Sequence, residues 1–123
     1  MTPSADVATL VIECADAEPM VRMYQALGAV PDIRYPGTGV LVLSGLTISF
    51  QERADYQAPT WPTPEVPSQL HLDFFVDSPE EMQDHLHGVG ARTPDHQPHR
   101  DSGLLVMLDP AGHPFCIGTR VGP

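Results

Sequence analysis

Leu10-Val-Ile-Glu-Cys-Ala-Asp16 and Leu70-His-Leu-Asp-Phe-Phe-Val-Asp77 are two versions of one pattern, an apolar run that ends in an aspartate. In each version a proline, an amphipathic stretch and a glycine–alanine pair follow, the pairs being Gly28-Ala29 and Gly90-Ala91. This order predicts a strand, a capped helix and a glycine stop, repeated after about half the chain. An internal repeat decides the architecture, so we expect a pseudo-symmetric molecule with a natural cleft for a ligand.

Each predicted helix is followed by three short apolar runs separated by glycine or proline turns. The strands predicted from these runs are 30–35, 40–43 and 46–51 in the first unit, and 91–93, 104–108 and 115–119 in the second. The helices are expected at about 18–27 and 79–87, where Asp16 and the capping box that starts at Ser78 lie at the helix starts. The pattern β-α-β-β-β, present twice, favours an α+β domain whose curved mixed sheet has both helices outside.

The chain of 123 residues fits one domain, 1–123, made of two such units at about 7–53 and 69–120. The connection between them, 54–68, contains four prolines and excludes a central strand or a helix. Its single tryptophan, Trp61, is either a plug over the core or part of a pocket lid.

Charge and composition narrow the range of partners. The chain has no lysine, six arginines against 16 acidic residues, and a formal charge of −10, so nucleic acid and anionic membranes are poor partners. The first residues lack the features of a secretory signal, and no apolar run is long enough to span a bilayer. With two cysteines interpreted as free thiols, these features favour a cytoplasmic protein.

Alternation along the predicted strands separates an apolar face from a mixed one. His71, Asp73 and Phe75 share one face, whereas Leu70, Leu72 and Phe74 share the other. Similarly, one face of the predicted strand 46–51 carries Thr47, Ser49 and Gln51, and the other face carries Leu46, Ile48 and Phe50. We expect the apolar faces under the helices and the mixed faces around a concave, partly polar cavity suited to a small molecule.

The repeated unit resembles the vicinal oxygen chelate superfamily, which contains glyoxalase I, bleomycin-resistance proteins and extradiol dioxygenases. The matching segments are 70–77, Val89-Gly90-Ala91 and Asp109-Pro-Ala-Gly112-His-Pro-Phe-Cys-Ile117, the last being similar to the D-P-x-G ending of the family. The resemblance covers nearly the whole chain and implies the glyoxalase/bleomycin-resistance/dioxygenase fold.

The resemblance also implies where a divalent metal would bind, and here the chain departs from the family pattern. Only His71 matches a family ligand position. The other positions fall near Thr9, at Ser49 or Gln51, and at Cys116. One imidazole, a hydroxyl or amide, and a thiol are a poor set for hard or borderline metals, so we predict no complete metal site and no cofactor, although a divalent metal is possible.

The predicted site is centred on His71 and Asp73, the candidate catalytic pair. The candidate ligand-binding residues are Ser49, Gln51, Trp61, Phe75 and Cys116. His71 and Asp73 are either a general base with its carboxylate or a pair that satisfies itself without chemistry. Cys116 is most simply an inert strand cysteine.

Three functions compete on this evidence. The first is a glyoxalase/bleomycin-resistance-like protein that binds a small organic molecule in the cleft without a classical metal. The second is a divalent-metal-dependent lyase, isomerase or dioxygenase, and the third is a non-catalytic structural or regulatory module. The missing ligands favour the first over the second, and the polar inner face favours both over the third. The resemblance and the open sheet edge also suggest a homodimer.

Overall fold

A computed structural model describes residues 2–120. In chain order its elements are β1 (Thr9–Cys14), α1 (Ala17–Ala26), β2 (Val30–Pro31), β3 (Leu41–Leu43), β4 (Leu46–Glu52), β5 (Asp73–Val76), α2 (Pro79–His87), a short 3-10 helix (Arg100–Ser102), β6 (Leu104–Leu108) and β7 (Pro114–Thr119). None of the helices in this part of the chain has the length and apolar character that crossing a membrane requires.

The strands form two mixed sheets with matching topology. The first sheet has the order β1-β4-β3-β2, and the second has the order β5-β7-β6. In each sheet the first strand of the unit runs parallel to the last one, and the remaining pairs are antiparallel. The predicted α+β class is confirmed, but the single curved sheet that we expected is divided into a four-stranded and a three-stranded sheet.

Three strands, namely β2, the strand predicted at 91–93 and β5, are clearly shorter than predicted. Strand β2 ends at Pro31, since the Asp32 side chain accepts from the Arg34 N–H and turns the chain. Strand 91–93 is reduced to one bridge, between Arg92 and Leu108. Strand β5 begins at Asp73, which pairs with Cys116; two residues earlier in the partner strand stands Pro114, which has no N–H to donate. Leu70, expected under a helix, therefore lies outside the strand and is exposed.

Both helices begin where their caps predict. The Asp16 carboxylate accepts from the N–H of Glu18 at 3.2 Å, and the Ser78 hydroxyl accepts from the N–H of Glu81 at 3.3 Å. Side chains from α1 and α2 fill the core between the sheets and the helices, and the fully buried ones include Met20, Met23 and Leu86.

An aromatic chain ties the two units together in that core. The Tyr24 ring of α1 lies 5.2 Å from the Phe50 ring and 6.2 Å from the Phe74 ring, and Phe74 in turn lies 5.8 Å from Phe115. These tilted and edge-to-face contacts link β4 of the first sheet to β5 and β7 of the second. The contact leaves a gap between β1 and the segment that leads into β5, and this gap is where the site lies.

Candidate functional site

A cavity of about 1090 Å³ lies in that gap, and we call it the inter-sheet cavity. Its lining comes from four separate segments, which are residues 10–13 of β1, residues 53–59 and 66–69 of the connection, residues 70–72, and residues 113–115, with Tyr24 of α1 beneath them. Because both sheets and the connection contribute, the cavity exists only in the folded domain. Its size suits a small organic molecule.

The charged side chains of the inter-sheet cavity are the two carboxylates of Glu13 and Asp55 and, between them, the guanidinium of Arg53. The Arg53 Nε lies 3.3 Å from the Asp55 carboxylate and 3.5 Å from the Glu13 carboxylate. All three side chains are largely exposed, so the pairs contribute little to stability. Their consequence for a ligand is that the one arginine stands beside two carboxylates, which its Nε contacts.

The floor of the inter-sheet cavity is held by a bond between the two halves of the chain. His113 Nε2 lies 2.7 Å from the Glu13 carbonyl oxygen, and because a carbonyl only accepts, this nitrogen carries the proton. The Tyr56 hydroxyl donates to the Ala111 carbonyl oxygen at 2.6 Å and lies 3.2 Å from the same His113 nitrogen. Burial raises the pKa of Tyr56 to about 12, so this hydroxyl stays a donor at neutral pH.

Behind this floor lies a buried carboxylate. Asp109 Oδ1 accepts from the N–H groups of Ala111 and His113 at 3.0 and 2.9 Å. Its other oxygen, Oδ2, is buried and has no hydrogen-bond partner among residues 2–120. Burial raises the pKa of Asp109 to about 6, and the neighbouring His113 and the turn N–H groups oppose that shift.

A second group of polar side chains, the His71 cluster, consists of His71, Asp73 and Cys116. One potential ligand atom from each lies within 4.8 Å of the others. His71 Nε2 is 3.4 Å from Asp73 Oδ1, and Cys116 is the direct strand partner of Asp73 across β5 and β7. The cluster runs from an exposed imidazole, 54% accessible, to a thiol that is 4% accessible.

This geometry gives the members of the His71 cluster different chemistry. The Asp73 carboxylate can orient the imidazole, which can exchange a proton with a bound molecule. Burial, together with the charge of Asp73, raises the pKa of Cys116 to about 11. The thiol therefore stays protonated at neutral pH and is a poor nucleophile, as expected for an inert strand cysteine.

The structure brings some of the predicted site residues together and separates others. His71, Asp73 and Cys116 converge, and Phe75 follows Asp73 on the same face of β5. Ser49 and Gln51 lie on β4 of the other sheet, where they pair with Val11 and Glu13 of β1. Among these residues, His71 alone lines the inter-sheet cavity.

Trp61 lies away from the His71 cluster. Its ring packs 5.4 Å from the ring of His96, a residue of the loop before β6, and it lines neither the inter-sheet cavity nor the groove described next. That groove, of about 780 Å³, runs along the other side of β5 beside α2 and is lined by Asp73 and Phe75 among others.

Sequence analysis did not select the residues that build the inter-sheet cavity around His71, namely Glu13, Arg53, Tyr56 and His113. His113 directly follows the Asp109-Pro-Ala-Gly112 segment, which forms a turn closed by the bond from the Gly112 N–H to the Asp109 carbonyl oxygen. Only the position of His113 directly after that turn, one residue before the last strand, could have indicated that its side chain reaches the other half of the chain.

The donor atoms of the His71 cluster do not fit the metal that the family resemblance implies. The thiol of Cys116 stands where a carboxylate is expected, and it must lose its proton before it can bind a metal. Thr9, near the remaining histidine position, lies on β1 of the other sheet and supplies only a hydroxyl. A hard divalent ion would thus find one imidazole and one carboxylate.

We expect purified protein, after dialysis against metal-free buffer, to retain much less than one equivalent of nickel, zinc, iron or manganese. The physical reason is the count and type of donors in the His71 cluster. Elemental analysis of the wild-type protein and of His71→Ala provides the measurement. One equivalent of metal that survives dialysis and disappears in His71→Ala would contradict this prediction and support the metal-dependent alternative.

Two sheets of this order, each accompanied by one helix, define a protein of paired units: the first is β-α-β-β-β, and in the second the strand after the helix is reduced to the Arg92–Leu108 bridge. The chain belongs to the glyoxalase-like domain family, whose model matches residues 9–118, and thus to the vicinal oxygen chelate superfamily. The superfamily and the glyoxalase/bleomycin-resistance fold predicted from the sequence are confirmed. No curated protein matches the chain.

Solved structures agree with this assignment at low sequence identity. The fosfomycin resistance protein FosX from Listeria monocytogenes, in its hexagonal form, matches with a TM-score of 0.67 at 16% identity and covers 97% of this chain and 96% of its own. FosX from Mesorhizobium loti matches with a TM-score of 0.63 at 12% identity, over 97% and 94% of the two chains. A glyoxalase-related enzyme from Fulvimarina pelagi matches with a TM-score of 0.64 at 20% identity, over 94% and 88%.

Proposed function

We propose that this protein binds a small organic molecule in the inter-sheet cavity, with His71 as the residue that contacts its reactive or polar group, and without a resident metal. One observation carries the proposal: His71 lines the cavity and also lies within reach of the side chains of Asp73 and Cys116. A ligand in the cavity therefore meets an imidazole that lies 3.4 Å from the Asp73 carboxylate. The likeness to fosfomycin resistance proteins concerns the fold only, so it does not name the ligand.

The surroundings of His71 favour a binding role over a purely structural one. The imidazole is 54% accessible, so removing it leaves little buried and unsatisfied. Apolar side chains such as Leu10 and Leu72 share the cavity wall with the hydroxyl of Tyr56 and with His113. An apolar wall with a few convergent polar groups is the usual lining of a small-molecule site.

We expect His71→Asn to fold with nearly the wild-type melting temperature but to lose ligand-induced stabilisation. The measurement is a thermal-shift screen of small hydrophobic acids, amines and thioesters, followed by assignment of perturbed amides by NMR. A ligand that binds only the folded state raises the melting temperature by an amount that grows with the logarithm of its affinity, so a weaker site gives a smaller shift. The perturbed amides should map to residues 10–13, 53–59 and 66–72.

His99→Asn is the matched control, since His99 is exposed, makes no capping bond and lines neither cavity. It should behave as the wild-type protein does. A binder whose affinity is unchanged in His71→Asn contradicts the proposed site. Gln51→Ala tests the wider predicted site, because Ser49 and Gln51 remain predicted contacts on the other sheet.

The predicted homodimer belongs to this proposal as well. We place the contact on the strand faces of β1 and β5 that carry Val11 and Phe75, which are 53% and 49% accessible. We expect light scattering at micromolar concentration to give about twice 13.4 kDa, and Phe75→Asp to give a monomer, because a charge on a buried contact is costly. Ile33→Asp, which changes an exposed apolar residue outside these faces, is the control. A wild-type mass near 13.4 kDa would rule out the dimer.

Both cysteines are free, and both are buried. This state fits the cytoplasmic location that we propose, since reduced thiols are the rule there.

A further inference from the structure

We infer that the inter-sheet cavity takes a ligand with an apolar body and a cationic head group, and that it rejects an anion of the same shape. This inference rests on the proposed function and names the chemical class of ligand that the same site would bind.

The first argument concerns the charges of the lining. Apart from its two histidines, the inter-sheet cavity has three charged side chains, Glu13, Asp55 and Arg53. The Nε of Arg53 lies within 3.5 Å of both carboxylates, so an anion that approaches this arginine would also approach two negative charges. A cation is attracted instead, since the two carboxylates and one guanidinium leave one negative charge in excess at the cavity.

The second argument concerns the rest of the molecule. Arg34 near the end of the first sheet is held by Asp32 through two nitrogens, at 3.0 and 2.6 Å, while Arg22 pairs with Glu18 and Arg120 with Asp77. Together with Arg53, four of the six arginines are thus paired with carboxylates within the described part of the chain. The formal charge of the whole chain is −10. The field around the cavity attracts cations and repels anions.

The third argument concerns the walls, which are independent of these charges. Tyr24, Tyr56 and Phe115 line the inter-sheet cavity and add aromatic surface for the body of the ligand. Aliphatic side chains, including Leu10, Val66 and Leu72, supply apolar surface for the body of the ligand. Glu13 and Asp55 are both more than half exposed, which places the charged end of the ligand at the cavity mouth.

The test uses three probes with one skeleton, namely 4-phenylbutylammonium, 4-phenylbutanol and 4-phenylbutanoate. Affinities are measured by calorimetry or NMR titration at low and at physiological ionic strength. We expect the ammonium to bind at least about tenfold more tightly than the carboxylate at low salt, with the alcohol between them. The ratio should shrink at about 0.15 M salt, where the Debye length is about 8 Å.

Two substitutions should shift this ratio in opposite directions. Glu13→Gln removes one carboxylate and leaves Arg53 paired with Asp55 alone, so the preference for the ammonium should fall by about three- to tenfold. Arg53→Gln removes the only arginine of the lining and should raise the preference. Arg22→Gln is the matched control, because its ion pair with Glu18 lies on α1 and lines neither cavity.

The outcomes separate this inference from the proposed function. If the alcohol binds in the inter-sheet cavity but the ammonium and the carboxylate bind equally, or the carboxylate binds better, the charge preference is overturned while the site stands. If none of the three probes perturbs an amide of the cavity lining, both proposals fail. The ordered affinities, with both shifts and an unchanged control, support the inference.

Discussion

Replacing Asp109 by asparagine is expected to remove a loss of stability that the wild-type protein undergoes between about pH 4 and pH 6. Burial raises the pKa of this carboxyl to about 6, whereas an unfolded aspartate titrates near 3.9. The folded state therefore binds the proton more tightly than the unfolded state does. The contribution of Asp109 to the free energy of unfolding is fully present below about pH 4 and is lost as the pH rises through about 6.

The size of this effect follows from the shift. A change of about two pKa units corresponds to roughly 3 kcal/mol between the protonated and ionised states. Since asparagine does not titrate, the stability of Asp109→Asn relative to wild type should rise by about that amount from pH 4 to pH 7. Urea unfolding at several pH values measures it, and the comparison cancels the other carboxylates that titrate in the same range.

Asp109→Ala separates the charge from the hydrogen bonds. Alanine removes the acceptor of the Ala111 and His113 N–H groups, whereas asparagine keeps an oxygen for them. We expect Asp109→Ala to be less stable than Asp109→Asn by about 1–3 kcal/mol at every pH. A wild-type stability that runs parallel to that of Asp109→Asn between pH 4 and pH 7 would show that the carboxyl does not titrate in this window.

Local sequence determined the elements well because their causes are local. The two caps, Asp16 and Ser78, act on N–H groups two or three residues away, and α2 occupies the predicted residues, Pro79–His87. The wrong predictions had two kinds of cause: Asp32 ends β2 by a contact within the predicted segment 30–35, whereas the cause for β5 lies outside its own segment. Strand β5 is short because of Pro114, which is distant in the sequence and invisible in the pattern of residues 69–76.

The same distinction explains the site. Alternation placed His71 and Asp73 on one face, and they do lie 3.4 Å apart. The inter-sheet cavity could not be predicted, because Glu13, Tyr56 and His113 meet there only through the packing of the two sheets and the connection. Periodicity within one strand carries no information about which strand of the other unit will stand opposite.

Gly112→Ala is expected to be among the most destabilising single substitutions of a small residue in this protein, at about 2–5 kcal/mol. Two costs add. Gly112 has a φ of +90°, which costs an L-residue about 1–2 kcal/mol. A Cβ at this position would also lie 3.0 Å from the Cβ of Ala58 in the connection, and overpacking costs about 1–3 kcal/mol.

Gly37→Ala isolates the first cost, since Gly37 has a φ of +74° but no atom within 4 Å of an added Cβ. We expect it to cost only about 1–2 kcal/mol. Ala58→Gly in the Gly112→Ala background should recover the overpacking cost, because it removes the Ala58 Cβ that the new methyl group meets. The cost of the positive φ should remain, because the backbone conformation at residue 112 is unchanged. Thermal and urea unfolding of the four variants of this cycle give the coupling energy.

The outcome bears on the site as well as on stability. Ala58 belongs to the segment that walls the inter-sheet cavity, and Tyr56, two residues earlier, is bonded to the carbonyl of Ala111 beside Gly112. If the connection is pressed against this turn, Gly112→Ala should displace Tyr56 and weaken ligand binding even at temperatures where the variant is fully folded, and Ala58→Gly should restore both. A Gly112→Ala cost no greater than that of Gly37→Ala would mean that the connection yields, and that the cavity wall is set by Tyr56 and His113 alone.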